Sequence, residues 1–208
     1  MGNDIYESGK LCRYGKIPGL EKTVSRMVFG TAIGPMIEGK NADELLDAAF
    51  AKGINTFDTA RGYGRAEESL GGWMKRRDNR EQVVVISKCG NCDSDGSVCV
   101  NRKVIETELA ESLQALQTDY IDIYLLHRDD PKTPVSEMID ALNELQKEGK
   151  IKVFGVSNWA HERIEEANRY AKEHQLQGFS VSSPHFGLAE QIADPWGGNC
   201  VTITGKQN

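Results

Sequence analysis

The feature that most constrains this chain is an alternation of short apolar runs with amphipathic stretches, repeated roughly every thirty residues. Six runs rich in β-branched and aromatic residues predict strands, at residues 24–29, 54–57, 83–87, 120–126, 151–156 and 179–182. The stretches between them predict helices, at residues 41–52, 66–77, 101–117, 135–148 and 161–174. Such alternation is typical of parallel strands joined by right-handed crossovers, and it predicts an α/β fold.

Two parallel-sheet architectures suit this alternation, a closed β/α barrel and an open doubly wound sheet. No G-x-G-x-x-G turn follows the first predicted strand, which argues against a dinucleotide-binding doubly wound sheet. We therefore predict a (β/α)8 TIM-barrel type fold. A complete barrel of eight strands typically needs about 250 residues. The 208 residues of this sequence are thus expected to hold six of the eight strands.

The domain organisation that we expect has two parts, with no repeat or linker between them. Residues 1–23 are expected to form an N-terminal tail and a short hairpin, placed within residues 11–20, that caps the barrel bottom. Residues 24–208 are expected to form the barrel, truncated after its sixth strand. The open edges of the first and last strands would then favour self-association.

Composition argues against several classes of partner. Lys and Arg number 25 against 31 Asp and Glu, giving a net charge of −6 without a basic stripe, so no nucleic-acid partner is expected. No apolar run is long enough to cross a bilayer, and the N-terminus lacks the apolar core of a secretory signal. We expect a cytoplasmic protein without membrane association. The five cysteines lack framework spacing and are expected to be thiols.

Polar side chains follow the ends of consecutive predicted strands. Asp58 ends the second strand, Tyr63 lies in the loop after it, Lys88 ends the third and His127 ends the fourth. Barrel enzymes place their chemistry on the rim formed by the carboxyl ends of the strands. A lone Lys or His at such a position is usually a surface cation or a packing residue. Because all four lie at or just after the ends of consecutive predicted strands, we favour a functional site.

Several sequence blocks resemble the aldo-keto reductase family. The resemblance is carried by residues 53–64 with Glu67, and by residues 86–88, 119–127 and 149–159. It extends from about Leu20 to about Thr204. It implies an oxidoreductase that uses NAD(P)H to reduce a small aldehyde or ketone to an alcohol.

The resemblance assigns the four rim residues to carbonyl reduction. Tyr63 would give a proton to the oxyanion that hydride transfer creates. Lys88 would supply an ammonium that favours the phenolate, and Asp58 would keep that ammonium charged and aimed. His127 would orient the carbonyl oxygen and oppose its developing negative charge.

The resemblance also implies NADPH as the cofactor, with NADH as the alternative. Gly30, Thr31 and Asp58 are expected beside the nicotinamide half. Ser157 and Asn158 match positions that hydrogen-bond its carboxamide.

Two cofactor positions depart from the family pattern. Ser183 stands where the family usually has Gln, and its shorter side chain replaces that amide only in part. Phe186 stands where a Tyr usually stacks on the nicotinamide, and it keeps an aromatic face.

The short sequence leaves a second function open. In the family, segments after the sixth strand supply most contacts to the adenosine half of the cofactor and a loop that shapes the substrate site. The alternative to an active enzyme is a truncated, non-catalytic relative or a fragment that serves as a binding or regulatory protein.

Two other motifs receive simpler interpretations. Residues 34–40 nearly match a phosphate-binding P-loop, but Asn41 stands where Ser or Thr must hold magnesium, and we interpret it as a helix cap. Cys89 and Cys92 form a C-x-x-C pair near Cys99, for which a redox or metal role is the alternative to incidental thiols. No metal site is predicted.

Overall fold

Six parallel strands curl into part of a β/α barrel in the computed structural model, which describes residues 12–91, 97–186 and 200–203. The six are β3 (Val28–Gly30), β4 (Thr56–Asp58), β5 (Val84–Cys89), β6 (Ile121–Leu126), β7 (Ile151–Ser157) and β8 (Val181–Ser183). Their spatial order follows their order in the chain, and each pairing is parallel. The predicted α/β fold, an incomplete barrel of six strands, is confirmed.

Helices separate these strands and pack on the outside of the sheet. They are α1 (Gly34–Ile37), α2 (Asp43–Ala51), α3 (Ala66–Arg77), α4 (Arg102–Leu116), α5 (Val135–Lys147) and α6 (His161–Glu173). Asn101 caps α4, since its Oδ1 accepts a hydrogen bond from the Val104 amide at 3.0 Å. The short helix α1 was not predicted, although Pro35 in its first turn has a backbone shape that suits a helix start. None of the helices in the described part of the chain has the length and apolar character needed to cross a bilayer.

An antiparallel hairpin precedes the barrel, but its bounds differ from the prediction. β1 (Tyr14–Gly15) pairs with β2 (Val24–Ser25), so the return strand lies beyond residue 20 and the hairpin placed at residues 11–20 is wrong in extent. The run at residues 24–29, predicted as one strand, is divided. Ser25 Oγ donates to the Met27 carbonyl at 2.7 Å, and the barrel strand begins only at Val28. The hairpin therefore includes Val24 and Ser25, which were predicted to belong to the barrel.

A second strand pair lies after β8. β9 (His185–Phe186), which follows β8 after one residue, pairs in parallel with β10 (Thr202–Ile203). Residues 187–199 lie outside the described part of the chain.

Alternate residues of each strand face the barrel interior and the helices. The inward side chains form one apolar cluster, which contains Leu20, Val84, Ile123, Leu125 and Val153. The outward side chains join a larger cluster with the helices, which includes Phe57, Val85, Tyr124, Phe154 and Trp73. Because successive strand residues point to opposite faces, the inward rows continue to the strand ends. Lys88 follows Ile86 in its row, and His127 follows Leu125.

The bottom of the barrel is held by a buried carboxylate. Asp122, only 1% exposed on β6, pairs with Arg80 at 2.8 Å and with Lys22 at 3.1 Å. Its Oδ2 also accepts from the Val85 amide at 2.9 Å. The Arg80 guanidinium lies 3.9 Å from the centre of the Tyr120 ring, and burial lowers the pKa of Lys22. One carboxylate therefore joins β5 and β6 to the segments that precede β3 and β5.

Replacing Asp122 with Asn should strongly destabilise the fold. The change leaves two partly buried cations without their anion, and breaking a buried pair in this way costs about 3–5 kcal/mol. Urea unfolding followed by circular dichroism would measure the loss. Glu148→Gln, which breaks an exposed pair with Lys150, is the control and should cost less than about 1 kcal/mol. Similar unfolding midpoints for both variants would contradict a structural role for Asp122.

Candidate active site

Lys88 is the centre of a hydrogen-bonded cluster on the barrel rim. Its ammonium lies 2.6 Å from Asp58 Oδ1, 2.9 Å from the Thr59 carbonyl and 3.3 Å from the Tyr63 hydroxyl. The side chain is almost fully buried, with the whole residue 3% exposed. Three acceptors match the three donors of an ammonium, so its position is fixed. The Asp58 carboxylate offsets the cost of burying the positive charge.

Tyr63 lies on the loop that joins β4 to α3, and that loop follows the edge of β5. The Thr59 amide donates to the Ile86 carbonyl at 2.8 Å, and the Arg61 amide donates to the Lys88 carbonyl at 3.0 Å. These bonds continue the pairing between the strands past the end of β4. Since the Tyr63 oxygen accepts from Lys88, its own O–H is left to donate to a ligand.

Glu67, at the start of α3, supports this loop from behind. Its carboxylate is buried and accepts from Ser87 Oγ at 2.7 Å and from Arg61 Nη1 at 3.3 Å. Ser87 directly precedes Lys88 on β5, and Arg61 stands two residues before Tyr63. A single buried carboxylate therefore ties the strand that carries the ammonium to the loop that carries the phenol.

His127 meets Tyr63 across the rim. The two ring centres are 5.6 Å apart with an interplanar angle of 77°, and the His127 amide donates to the Cys89 carbonyl at 2.7 Å. Its Nδ1 is buried, and no described residue hydrogen-bonds it. Burial, together with the charges of Lys88 and Arg128, lowers the pKa of His127 to about 3. The ring is therefore a neutral imidazole at physiological pH.

A cleft of about 680 Å³ opens beside these side chains. It is lined by nine of the ten residues that the sequence proposed: Gly30, Asp58, Tyr63, Lys88, His127, Ser157, Asn158, Ser183 and Phe186. Its volume is in the range of small-molecule and cofactor sites. The side chain of Thr31 does not line it. Thr31 directly follows Gly30, so its side chain points to the opposite face of the sheet, where it is fully buried. The Thr31 amide donates to the Asp58 carbonyl at 2.9 Å.

The cleft also contains residues that the sequence did not single out. They are Val28, Ala32, Ile86, Asn91, Arg128, Pro184, His185 and Cys200. Arg128 had the clearest signal, because it directly follows His127 beyond the end of β6. Val28 and Ile86 follow from strand alternation, since each lies two residues before a proposed site residue.

The ends of β7 and β8 form the other wall of the cleft. Ser157 Oγ donates to the Ser183 carbonyl at 3.0 Å, and Asn158 Nδ2 donates to Ser157 Oγ at 2.9 Å. Asn158 has a left-handed backbone with φ of +62°, which Asn tolerates better than most residues. Phe186 is 63% exposed and presents its ring to the cleft. The wall thus combines an ordered set of polar groups with an open aromatic surface.

The two motifs near this site have different outcomes within the described residues. The interpretation of Asn41 as the helix cap is wrong, because Ala42 is the N-cap residue of α2 and makes no side-chain capping bond. Asn41 precedes it, and its Oδ1 accepts from the Asp43 amide at 2.7 Å in a local turn. Cys89 is buried, which raises its pKa to about 12 and disfavours the reactive thiolate. Cys92 lies outside the described part of the chain.

Comparison with known proteins identifies the family. A sequence profile of the Aldo/keto reductase family matches residues 26–194. This chain belongs to the Aldo/keto reductase family, as its sequence blocks indicated. Aldo-keto reductase YhdN of Bacillus subtilis is 36% identical over 162 residues, which cover 74% of this chain and 49% of the relative. Norsolorinic acid reductase B of Dothistroma septosporum is 35% identical over 153 residues, 68% of this chain and 39% of the relative.

Another relative is named as a channel subunit and not as an enzyme. A probable voltage-gated potassium channel subunit beta of Oryza sativa subsp. japonica is 35% identical over 173 residues, which cover 79% of this chain and 52% of that protein. The chain therefore spans about half the length of the curated relatives that it matches.

Replacing His127 with Asn should reduce the loss of stability in acid. The folded imidazole keeps a pKa of about 3, whereas an unfolded His titrates near 6.5. Between these values the unfolded chain binds more protons, so stability is lost as the pH falls below about 6.5. At about 1.4 kcal/mol per pH unit, the group costs roughly 2 kcal/mol at pH 5.

Urea unfolding of both proteins at pH 7 and pH 5 would test this pH dependence. The His127→Asn variant should lose less stability than the unsubstituted protein over this interval. Equal losses in the two proteins would show that His127 is protonated in the fold.

Proposed function

We propose that this chain carries the catalytic rim of an NAD(P)H-dependent oxidoreductase that reduces an aldehyde or ketone to an alcohol. The observation that supports it best is the contact of Lys88 with both Asp58 and Tyr63, at 2.6 and 3.3 Å, beside a cleft large enough for a cofactor and substrate. Family membership, and relatives named as reductases and dehydrogenases, agree with this class of chemistry. Because the chain spans about half the length of its relatives, we propose this activity for the whole protein as well.

The residues of the cleft fit a nicotinamide ring. Phe186 offers an exposed aromatic surface for stacking, and Gly30, which also lines the cleft, adds no side chain that could obstruct the ring. Asn158 and Ser157 are hydrogen-bonded to each other, so their remaining polar atoms are held in place for a carboxamide. Bound NADPH, or NADH as the alternative, would supply the hydride that adds to the carbonyl carbon.

Tyr63 gives the proton in this proposal. When hydride adds to the carbonyl carbon, the C=O π electrons move to the oxygen, which takes the proton of the Tyr63 hydroxyl and becomes the alcohol. Lys88 stabilises the phenolate that remains, and Asp58 keeps Lys88 charged. The neutral His127 ring offers a nitrogen to the carbonyl oxygen from the other side. Tyr63 then regains a proton from solvent.

A binding or regulatory role is the second candidate, favoured by the similarity to the protein named as a probable potassium channel subunit. The first candidate requires NADPH to bind, which quenching or a shift of its fluorescence would measure, and an absence of binding would favour the second. Only the first expects consumption of NADPH when an aldehyde is added. Tight binding without turnover over a broad set of aldehydes and ketones would favour the second.

Replacing Tyr63 with Phe should lower kcat/KM for aldehyde reduction by about 10²–10⁴-fold, because the general acid is lost. The Kd for NADPH should stay within about twofold, since the phenol acts on the carbonyl oxygen and not on the cofactor. Tyr170→Phe is the matched control, because the Tyr170 hydroxyl bonds Asp140 outside the cleft. Turnover by Tyr63→Phe equal to that of the control would refute the assignment.

A further inference from the structure

Arg128 is the charged residue of the cleft that the proposed reaction does not use. It directly follows His127, lines the same cleft and is only 7% exposed. Within residues 12–91, 97–186 and 200–203, its guanidinium has no hydrogen bond or ion pair. Its positive charge also contributes to the lowered pKa of His127.

The carboxylates next to Arg128 in the chain are engaged elsewhere. Asp129 pairs with Arg163 at 3.2 Å. Asp130 is buried and accepts hydrogen bonds from the Val100 amide, the Lys132 amide and Thr133 Oγ1, at 3.0–3.2 Å. These two acids therefore order the loop after β6 and leave the positive charge of Arg128 uncompensated.

Other half-buried arginines of this chain have anionic partners. Arg80 pairs with Asp122, Arg163 with Asp129, and Arg61 with Glu67 and Glu111. Arg128 is more deeply buried than any of these, yet it lacks such a partner among the described residues. A cation that lines a cleft and has no protein anion to compensate its charge is suited to meet its anion in a ligand. The planar guanidinium matches a carboxylate by two parallel hydrogen bonds.

We propose that Arg128 binds a carboxylate of the carbonyl substrate, so that the preferred substrates are aldehydes or ketones that also carry an acid group. This inference rests on the proposed function. Arg128 adjoins His127, whose ring meets that of Tyr63 at 5.6 Å. These two groups face the carbonyl oxygen in the proposed reaction, and we therefore assign the anion held by Arg128 to the same molecule as that oxygen.

A matched pair of aldehydes tests the proposal. The probes are 4-formylbenzoate and its methyl ester, which differ in charge and share an aromatic aldehyde. In Arg128→Met, the ratio of kcat/KM for the acid to that for the ester should fall by about 10–100-fold, the range for a lost hydrogen bond to a charged group. Arg128→Lys keeps the charge but loses the fork, and its ratio should fall less. Arg169→Met, an exposed change on α6 outside the cleft, should leave the ratio unchanged.

Each other outcome decides against the proposal. Equal losses for acid and ester would show that Arg128 only shapes the rim. A weaker Kd for NADPH in Arg128→Met, with an unchanged ratio, would assign the anion to the cofactor. Arg128→Lys supplies the same comparison if the Met variant does not fold.

A binding measurement separates failure of this inference from failure of the proposed function. If the unsubstituted chain reduces neither aldehyde, the proposed function fails, and titration calorimetry with terephthalate, which has no aldehyde, still tests Arg128. Binding that Arg128→Met weakens by at least about tenfold supports a carboxylate site. Binding that is absent, or equal in the two proteins, overturns it.

Discussion

The rim of this barrel depends on the two-residue period of its parallel strands. The inward apolar rows fix the register, which pairs Ile86 with Ile123 and Lys88 with Leu125. A slip of one residue would turn the apolar row toward the helices and bring Cys89, in place of Lys88, to the cleft. The free energy that holds the core together therefore also holds the ammonium beside its carboxylate. Packing and chemistry share one geometric constraint here.

Charge on the rim is unevenly distributed, and each group changes the behaviour of its neighbours. Lys88 is compensated by Asp58 and bonded to the Tyr63 oxygen, yet its charge still opposes protonation of His127. Arg128 adds a second positive charge to the same wall. The result is a neutral imidazole that feels the charges of two cations, in a region that favours negative charge on a ligand.

Much of this arrangement could be predicted from sequence, because local signals and tertiary packing agree. Helix α4 begins at the Asn101 cap and ends before Gln117, as its apolar stripe indicated. Lys88 and His127 reach the cleft because strand alternation continues to the strand ends. The first strand was less predictable, since the Ser25 bond to Met27 divides an apparently continuous run. The lack of a partner for Arg128 is a property of three-dimensional contacts within the described residues, and no spacing in the sequence reveals it.

The position of the Asp122 carboxylate also has a consequence for how such a protein can evolve. Its pairs with Lys22 and Arg80 lie at the end of the strands opposite to the rim, so substitutions in the cleft leave these contacts intact. Substitutions at distant, independent sites have nearly additive effects on stability. Exposed rim positions such as Ser183 and Phe186 can therefore acquire new side chains at little cost to the fold. New ligand preferences can accumulate on the rim while the base of the barrel preserves the scaffold.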